Sequence, residues 1–204
     1  MLNIKIMSDP ICWVCYVAIT AMDQLQKEYD IEVEWLNVNA HPHFGRDGEG
    51  ISQIEYRGSV EAYQLRRQSV KKVAEQYGIY LPYKEYVPSP QRALNAIYEA
   101  KAMGRGGAFK RLIMDKHHRY GEDIGSLTVI EDTARELGLD EVRILEAVKN
   151  STHDSIIAQT TARAHEFGMK EAASGVMLID NQHFIESPFR DINELRKLIE
   201  QYLV

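Results

Sequence analysis

An apolar run at residues 2–7, the turn Ser8-Asp9-Pro10, the pair Cys12-Trp13-Val14-Cys15 and a helical pattern over residues 14–29 follow one another at the start of the chain. The two cysteines are the only ones in 204 residues. A strand, a proline turn and two thiols at the mouth of a helix leave few folds open. The first turn of a helix has N–H groups without intrahelical partners and carries the positive end of the macrodipole, so an anionic sulfur is favoured there. The thiolate is the nucleophilic form. Cys12, nearest the helix start, is therefore the expected attacking sulfur, and Cys15, about one turn deeper, the expected resolving one. Free cysteine is also a common core residue, but the strand-turn-helix context favours redox chemistry over simple burial. Zinc would need two further ligands; no second cysteine pair exists, and His41 and His43, at His-x-His spacing, could reach the cysteines only through the fold, so no metal is expected.

The rest of the chain builds a frame around that pair. Residues 31–38 alternate apolar and polar side chains, the pattern of a half-buried strand. Strand, helix and strand then form a right-handed βαβ unit with parallel strands, which places the thiols at the carboxyl edge of a sheet, where α/β proteins hold ligands. Residues 39–50 read as a loop in which His41, His43 and Arg46 are candidates for lining a substrate cleft. Between 51 and 169 the pattern is helical throughout, with no strand expected. Helices are predicted over 59–77, 91–103, 108–120, 127–137 and 140–149, followed by a long one reaching 167 after Ser151 or Thr152. Ser126 and Asp140 are candidate caps, and 80–90 is an aromatic, proline-rich connector.

Asp115, His117, His118, Glu122 and Asp123 are the densest group of possible metal ligands. Their spacing is not His-Glu-x-x-His and Lys116 and Arg119 interrupt it, so a polar helix end is expected. Strands return at 176–180 and 183–186 around a short polar turn, a hairpin, and 191–203 closes the chain as an amphipathic helix. The expected fold is α/β: a thioredoxin-like core (βαβ … ββα) from residues 1–50 and 168–204, interrupted by an all-helical insertion at 51–167.

A net charge of −6 argues against nucleic acid as a partner, because phosphate binding needs a clustered positive face. Arg66-Arg67 and Lys71-Lys72, the densest basic group, are expected on a solvated helix face. Neither a secretory signal nor an apolar span of membrane length is evident, so no membrane partner and a cytoplasmic location are expected. In a reducing compartment a close cysteine pair is more often catalytic than structural.

Ser8-Asp9-Pro10-Ile11-Cys12 with Cys15-Tyr16, the helix at 92–103, Asp123-Ile124-Gly125 with Val129-Ile130, and Ile179-Asp180 together resemble the DsbA-like branch of the thioredoxin superfamily, and within it the cytoplasmic FrnE-like subgroup. The resemblance covers essentially the whole chain. It implies a thiol-disulfide oxidoreductase or isomerase with Cys12 as nucleophile and Cys15 as resolving residue, acting on protein or small-molecule thiols and disulfides with no cofactor beyond its own disulfide. Fold relatives of that branch, the 2-hydroxychromene-2-carboxylate isomerases and kappa-class glutathione transferases, usually carry serine at the Cys12 position and use glutathione. A glutathione-dependent isomerase or transferase is therefore the alternative, and a non-catalytic binding module a third reading. Oligomeric state is not legible.

This chain departs from the family pattern twice. The family places a cis-proline before the hairpin, facing the thiols, where Gly175 stands here. A cis bond before a residue other than proline costs about 3 kcal/mol, so the Ser174-Gly175 bond is expected to be trans. Ser174 and Gly175, with Trp13, are the expected substrate-binding residues. Between the cysteines the subgroup often carries Pro-Trp or Pro-His, whereas Trp13-Val14 offers the thiolate no charge, and a less oxidising pair is expected.

Overall fold

The protein is described by a computed structural model over residues 1–45, 48–50, 59–82, 86–167, 176–179, 183–186 and 191–203. Strand β1 (Leu2–Ser8) leads through the Asp9-Pro10 turn into α1 (Trp13–Glu28), and the chain returns in β2 (Ile31–Asn37). Leu2, Ile4 and Ile6 turn one face of β1 into the core, and α1 answers with Val14, Ala18, Met22 and Leu25. The two strands run parallel from Leu2 opposite Ile31 to Ser8 opposite Asn37. Parallel pairing requires a crossover, and α1 supplies it. The cysteines consequently lie at the carboxyl edge of the sheet, as the sequence predicts.

Beyond β2 the chain forms β3 (Glu49–Gly50), α2 (Val60–Gln76), β4 (Tyr86–Val87), α3 (Gln91–Ala102), α4 (Gly106–His118), α5 (Leu127–Glu136), α6 (Glu141–Lys149) and α7 (Asp154–Glu166). The strands β5 (Val176–Ile179) and β6 (His183–Glu186) then complete the sheet, and α8 (Ile192–Glu200) ends the fold. Strand order is β2-β1-β5-β6, with β5 antiparallel to β1 and β6 antiparallel to β5. The βαβ … ββα core and the helices between its halves thus follow the sequence expectation. Leu195 and Ile199 of α8 reach the same core as α1.

The stretch expected to lack strands contains one. Tyr86–Val87 pairs antiparallel with Glu49–Gly50 in a two-stranded ribbon. Two residues are too few to show a period, so pattern reading misses them. Gly48, at φ +84, makes the ribbon possible: a Cβ there would run into the Tyr86 side chain and the Val87 carbonyl.

Four of the eight helices among the described residues start on a side-chain cap, and of the two candidates named from the sequence Asp140 makes its bond and Ser126 does not. Ser59 Oγ accepts from Ala62 N at 3.1 Å, and Asp140 Oδ1 accepts from Arg143 N at 3.0 Å. Ser126 occupies the N-cap of α5 but its hydroxyl makes no capping bond. α7 begins only at Asp154, because Ser151 turns into the left-handed region at φ +53. Its start is held from outside: His153 N donates to Asn95 Oδ1 at 2.8 Å, and Asn95 Nδ2 donates to Asp154 Oδ1 at 2.7 Å.

Polar ties join these helices to the end of β2. Asn39 N donates to Thr161 Oγ1 of α7 at 3.0 Å, and Asn39 Nδ2 to Gln91 Oε1 of α3 at 2.8 Å. Glu99 of α3 binds Arg143 at 2.6 Å and His153 at 2.7 Å.

Candidate active site

Cys12 is the N-cap of α1, in extended backbone conformation, and its Sγ accepts the N–H of Cys15 at 3.3 Å. A sulfur takes the place that serine, threonine or aspartate usually fills, satisfying a donor that the helix start leaves open. The turn before it is fixed by Asp9, a buried carboxylate. Asp9 Oδ1 accepts from Ile11 N at 2.9 Å and Oδ2 from Ala40 N at 2.8 Å. Asp9 therefore binds the β1–α1 turn to the segment leaving β2, and the cysteines are positioned by both strand ends.

Each cysteine is only 4% exposed, and the two titrate as a pair. The hydrogen bond with Cys15, together with burial, holds the Cys12 thiol well above its ordinary value. The same bond lowers the Cys15 thiol, against burial and with help from an Asp9 backbone bond and the Lys110 charge. One proton leaves the pair readily and the second resists; the charge belongs to the S–H···S unit. This corrects the picture of Cys12 ionised and accessible at the helix tip: the dipole is outweighed by burial and by the neighbouring sulfur.

The residues on either side of Cys12, Ile11 and Trp13, line a cleft together with Arg67, Leu81, Val87 and His118, among others, with about 370 Å³ of space including its open side. Trp13 forms one wall, with the Arg67 guanidinium 6.0 Å from its ring centre. Arg67 was expected on a solvated face, but it turns inward to donate to the carbonyls of Leu81, at 3.1 Å, and Pro82. His41 and His43 do not line this cleft. His41 lies 3.4 Å from Asp9 and packs on Phe44, with which His43 makes an edge contact. Arg46, Ser174 and Gly175 fall outside the described residues.

The close of α4 is the polar helix end expected rather than a metal site: among the described residues no group of its side chains could hold a metal ion, and they are divided among separate partners, with His117 and His118 buried. His118 Nε2 meets the Pro10 carbonyl at 3.0 Å and its ring stacks on Tyr16 at 4.7 Å. His117 Nδ1 lies 3.2 Å from the Glu122 carbonyl, and Asp123 Oδ1 accepts from Gly125 N at 2.8 Å. The Tyr16 hydroxyl donates to Asp115 and accepts from Arg119 Nε at 2.5 Å; burial and Asp115 push its pKa up to about 12. These contacts dock α4 against the active helix.

Lys110 is the residue that pattern reading passed over. It is 3% exposed, and its ammonium lies 4.7 Å from the centre of the Trp35 ring. The signal was present: Lys110 precedes Ile113 and Met114 by three and four residues, so it sits on the buried stripe of α4.

The DSBA-like thioredoxin domain matches residues 3–175. The chain belongs to that family. Its thioredoxin-like core with inserted helices is found in solved DsbA-like structures. A probable DsbA oxidoreductase from Streptomyces coelicolor superposes with a TM-score of 0.82 at 14% identity, covering 98% of this chain and 89% of that one. The cytosolic disulfide reductase DsbM from Pseudomonas aeruginosa with GSH gives 0.68 at 16% identity, covering 98% of each. A 2-hydroxychromene-2-carboxylate isomerase gives 0.75 at 13% identity, covering 98% and 95%. Among curated sequences, the uncharacterized protein YwbO of Bacillus subtilis (strain 168) is 23% identical over 166 residues, 80% of each chain. This DsbA-like protein thus shares its fold with both disulfide oxidoreductases and an isomerase. Among the described residues, no helix is long and apolar enough to cross a membrane.

Proposed function

We propose that this DsbA-like protein is a thiol-disulfide oxidoreductase whose working group is the Cys12–Cys15 dithiol. The observation that carries the reading is the 3.3 Å bond from Cys15 N to Cys12 Sγ at the cap of α1, which brings the Cys12 sulfur against the backbone of the residue that bears the second thiol. In the reducing direction, the shared proton of the pair passes to Cys15 as the Cys12 sulfur attacks one sulfur of a substrate disulfide and expels the other as a thiolate. Cys15 then attacks the Cys12 sulfur, closes the internal disulfide and releases the second substrate thiol. Trp13 supplies an aromatic wall for the incoming group. The substrate class is a protein or small-molecule thiol or disulfide, and the cytoplasm is the proposed compartment.

A redox titration of the purified protein against dithiothreitol, read by alkylation and mass, tests this reading. The wild type closes and reopens one internal disulfide. Cys12→Ser loses disulfide reductase activity, whereas Cys15→Ser accumulates a mixed disulfide through Cys12. A wild type that never closes the Cys12–Cys15 bond refutes the assignment.

A second reading draws on two structural neighbours, the isomerase and the reductase with GSH. In it glutathione occupies the cleft beside Trp13 and Arg67, and chemistry proceeds on bound glutathione without Cys15. Retained glutathione-dependent turnover in Cys15→Ser, with no internal disulfide required, would select it over the dithiol mechanism.

A further inference from the structure

Three buried side-chain atoms lack a hydrogen-bond partner among the described residues: Ser8 Oγ, Asn37 Oδ1 and Lys110 Nζ. Ser8 and Asn37 are register partners at the carboxyl ends of β1 and β2. Side chains repeat every second residue in a strand, so Ile6 and Ser8, with Trp35 and Asn37 opposite them, share one face of the sheet. Lys110 approaches that face, since its ammonium lies over the Trp35 ring. A buried amine with no carboxylate bound to it is expensive to keep charged. From Ser8, at the end of that face, the chain passes through the Asp9-Pro10 turn to Cys12 at the cap of α1, so the amine and the sulfurs lie at the same carboxyl end of the sheet, and the negative charges that favour its protonated form are Cys15, Asp9 and Cys12.

The groups around it account for one another elsewhere. Asp9 is held by the backbone of Ile11 and Ala40 with His41 alongside. On α1, Tyr16 is bound to Asp115 and Arg119, and Asp23 pairs with Arg111. Glu99 of α3 pairs with Arg143 and His153, and Glu136 of α5 with Lys116. Tyr98 of α3 donates to the Asn37 carbonyl at 3.0 Å. Among the described residues, the sulfur pair is the nearby group whose charge changes during the proposed reaction.

We propose that Lys110 is the counter-cation of the dithiol: protonated beside the thiolate of the reduced pair, and neutral once the pair has closed as a disulfide. The proposal rests on the dithiol reading of the site. The proton count follows from it. The reduced site holds one proton on the S–H···S pair and one on Lys110. When Cys12 attacks, the substrate S–S bond breaks and the Cys12–substrate bond forms. The expelled thiolate leaves as a thiol with the proton that Lys110, having lost its anionic neighbour, no longer retains. Cys15 next gives up its proton and the amine takes one up, an exchange through water because no direct bond joins Lys110 Nζ to either sulfur, and Cys15 thiolate attacks Cys12. The Cys12–substrate bond breaks, and the second substrate thiolate departs with that proton. Two thiols are produced, one disulfide closes, and Lys110 ends neutral. Burial, which pulls Lys110 down to about 7, places the amine where both forms are accessible at ordinary pH. Lys110 acts through the sulfurs and is a positioning residue.

The test compares wild type with Lys110→Met, which keeps the bulk of the stem, and Lys110→Arg, which keeps the charge. Thiolate ultraviolet absorbance and iodoacetamide alkylation of the reduced protein are followed against pH. In Lys110→Met the ionisation midpoint moves up by a pH unit or more, and alkylation at pH 7 slows about tenfold. Lys110→Arg retains the low midpoint. NMR of labelled lysine side chains shows Lys110 protonated in reduced wild type at a pH where it is neutral in the oxidised form. Superimposable thiolate titrations of wild type and Lys110→Met overturn the proposal. Failure of the wild type to form its disulfide overturns the dithiol reading instead, so the two failures are told apart.

Discussion

Replacing Lys110 by methionine should make the protein more stable, by an amount that depends on pH. Burial pushes the amine down from 10.5 to about 7 against the charges of Cys15, Asp9 and Cys12, which support it. In the unfolded chain the amine keeps its ordinary affinity, so between these two values the unfolded state binds one more proton than the native state. Stability then rises with pH by about 1.4 kcal/mol per unit over that window. Below pH 7 both states are protonated and the whole penalty is present, about 5 kcal/mol at most. Above pH 10.5 both are neutral and it disappears. Lys110→Met removes the group, so its advantage is greatest below pH 7 and shrinks through the alkaline window. Urea unfolding from pH 6 to 9.5 checks this. Both proteins would carry Cys12→Ser and Cys15→Ser, so that no thiol titrates; losing the sulfur charges lowers the folded value further, which keeps pH 7.5 to 9.5 inside the window. The gap between the curves narrows by more than 2 kcal/mol from pH 7.5 to 9.5. Parallel curves would refute the claim that the amine is charged only at a cost in the folded state.

Other outcomes follow from contacts at the site and around it. Asp9→Ala strands the buried N–H groups of Ile11 and Ala40 and lowers stability by about 2–5 kcal/mol in urea titrations, while Asp9→Asn, which keeps one acceptor, loses less. Gly48→Ala forces a left-handed alanine against Tyr86 and Val87 and costs about 1–3 kcal/mol, visible as a lower midpoint at unchanged m-value. Burial raises the Glu99 carboxyl, but the hydrogen bonds of His153 and Arg143 outweigh it and leave the group below 4.5. Its contribution is therefore complete above about pH 4.5 and is lost as pH falls through the lower folded value. Glu99→Gln removes that part of the acid limb in a pH series of thermal unfolding.

How much of this was readable in advance depended on the range over which each signal acts. The βαβ start and the closing helix were legible because burial imposes a period on each of them, and the hairpin because two short apolar runs flank a polar turn. The ribbon of Glu49–Gly50 with Tyr86–Val87 was not, because a two-residue pairing between distant segments leaves no local trace. The cysteines announced themselves by spacing, yet their burial and shared charge arise from side chains that only the tertiary fold assembles. His41 and His43 looked suited to a cleft by composition, whereas Arg67 and His118 reach it from helices whose inward faces a periodicity count cannot aim. Lys110 could have been found by asking why a lysine lies on an apolar stripe.

The sulfur that opens α1 has two tasks, and they compete. As the terminal acceptor of the Cys15 N–H, Cys12 contributes to the start of the helix, and any reaction at that atom alters the acceptor. Oxidation replaces an electron-rich thiolate by a weakly accepting disulfide sulfur, and alkylation fills the same position with carbon. The first turn of α1 therefore registers the chemical state of the site in its own backbone, and amide exchange at Cys15 offers a direct gauge of electron transfer.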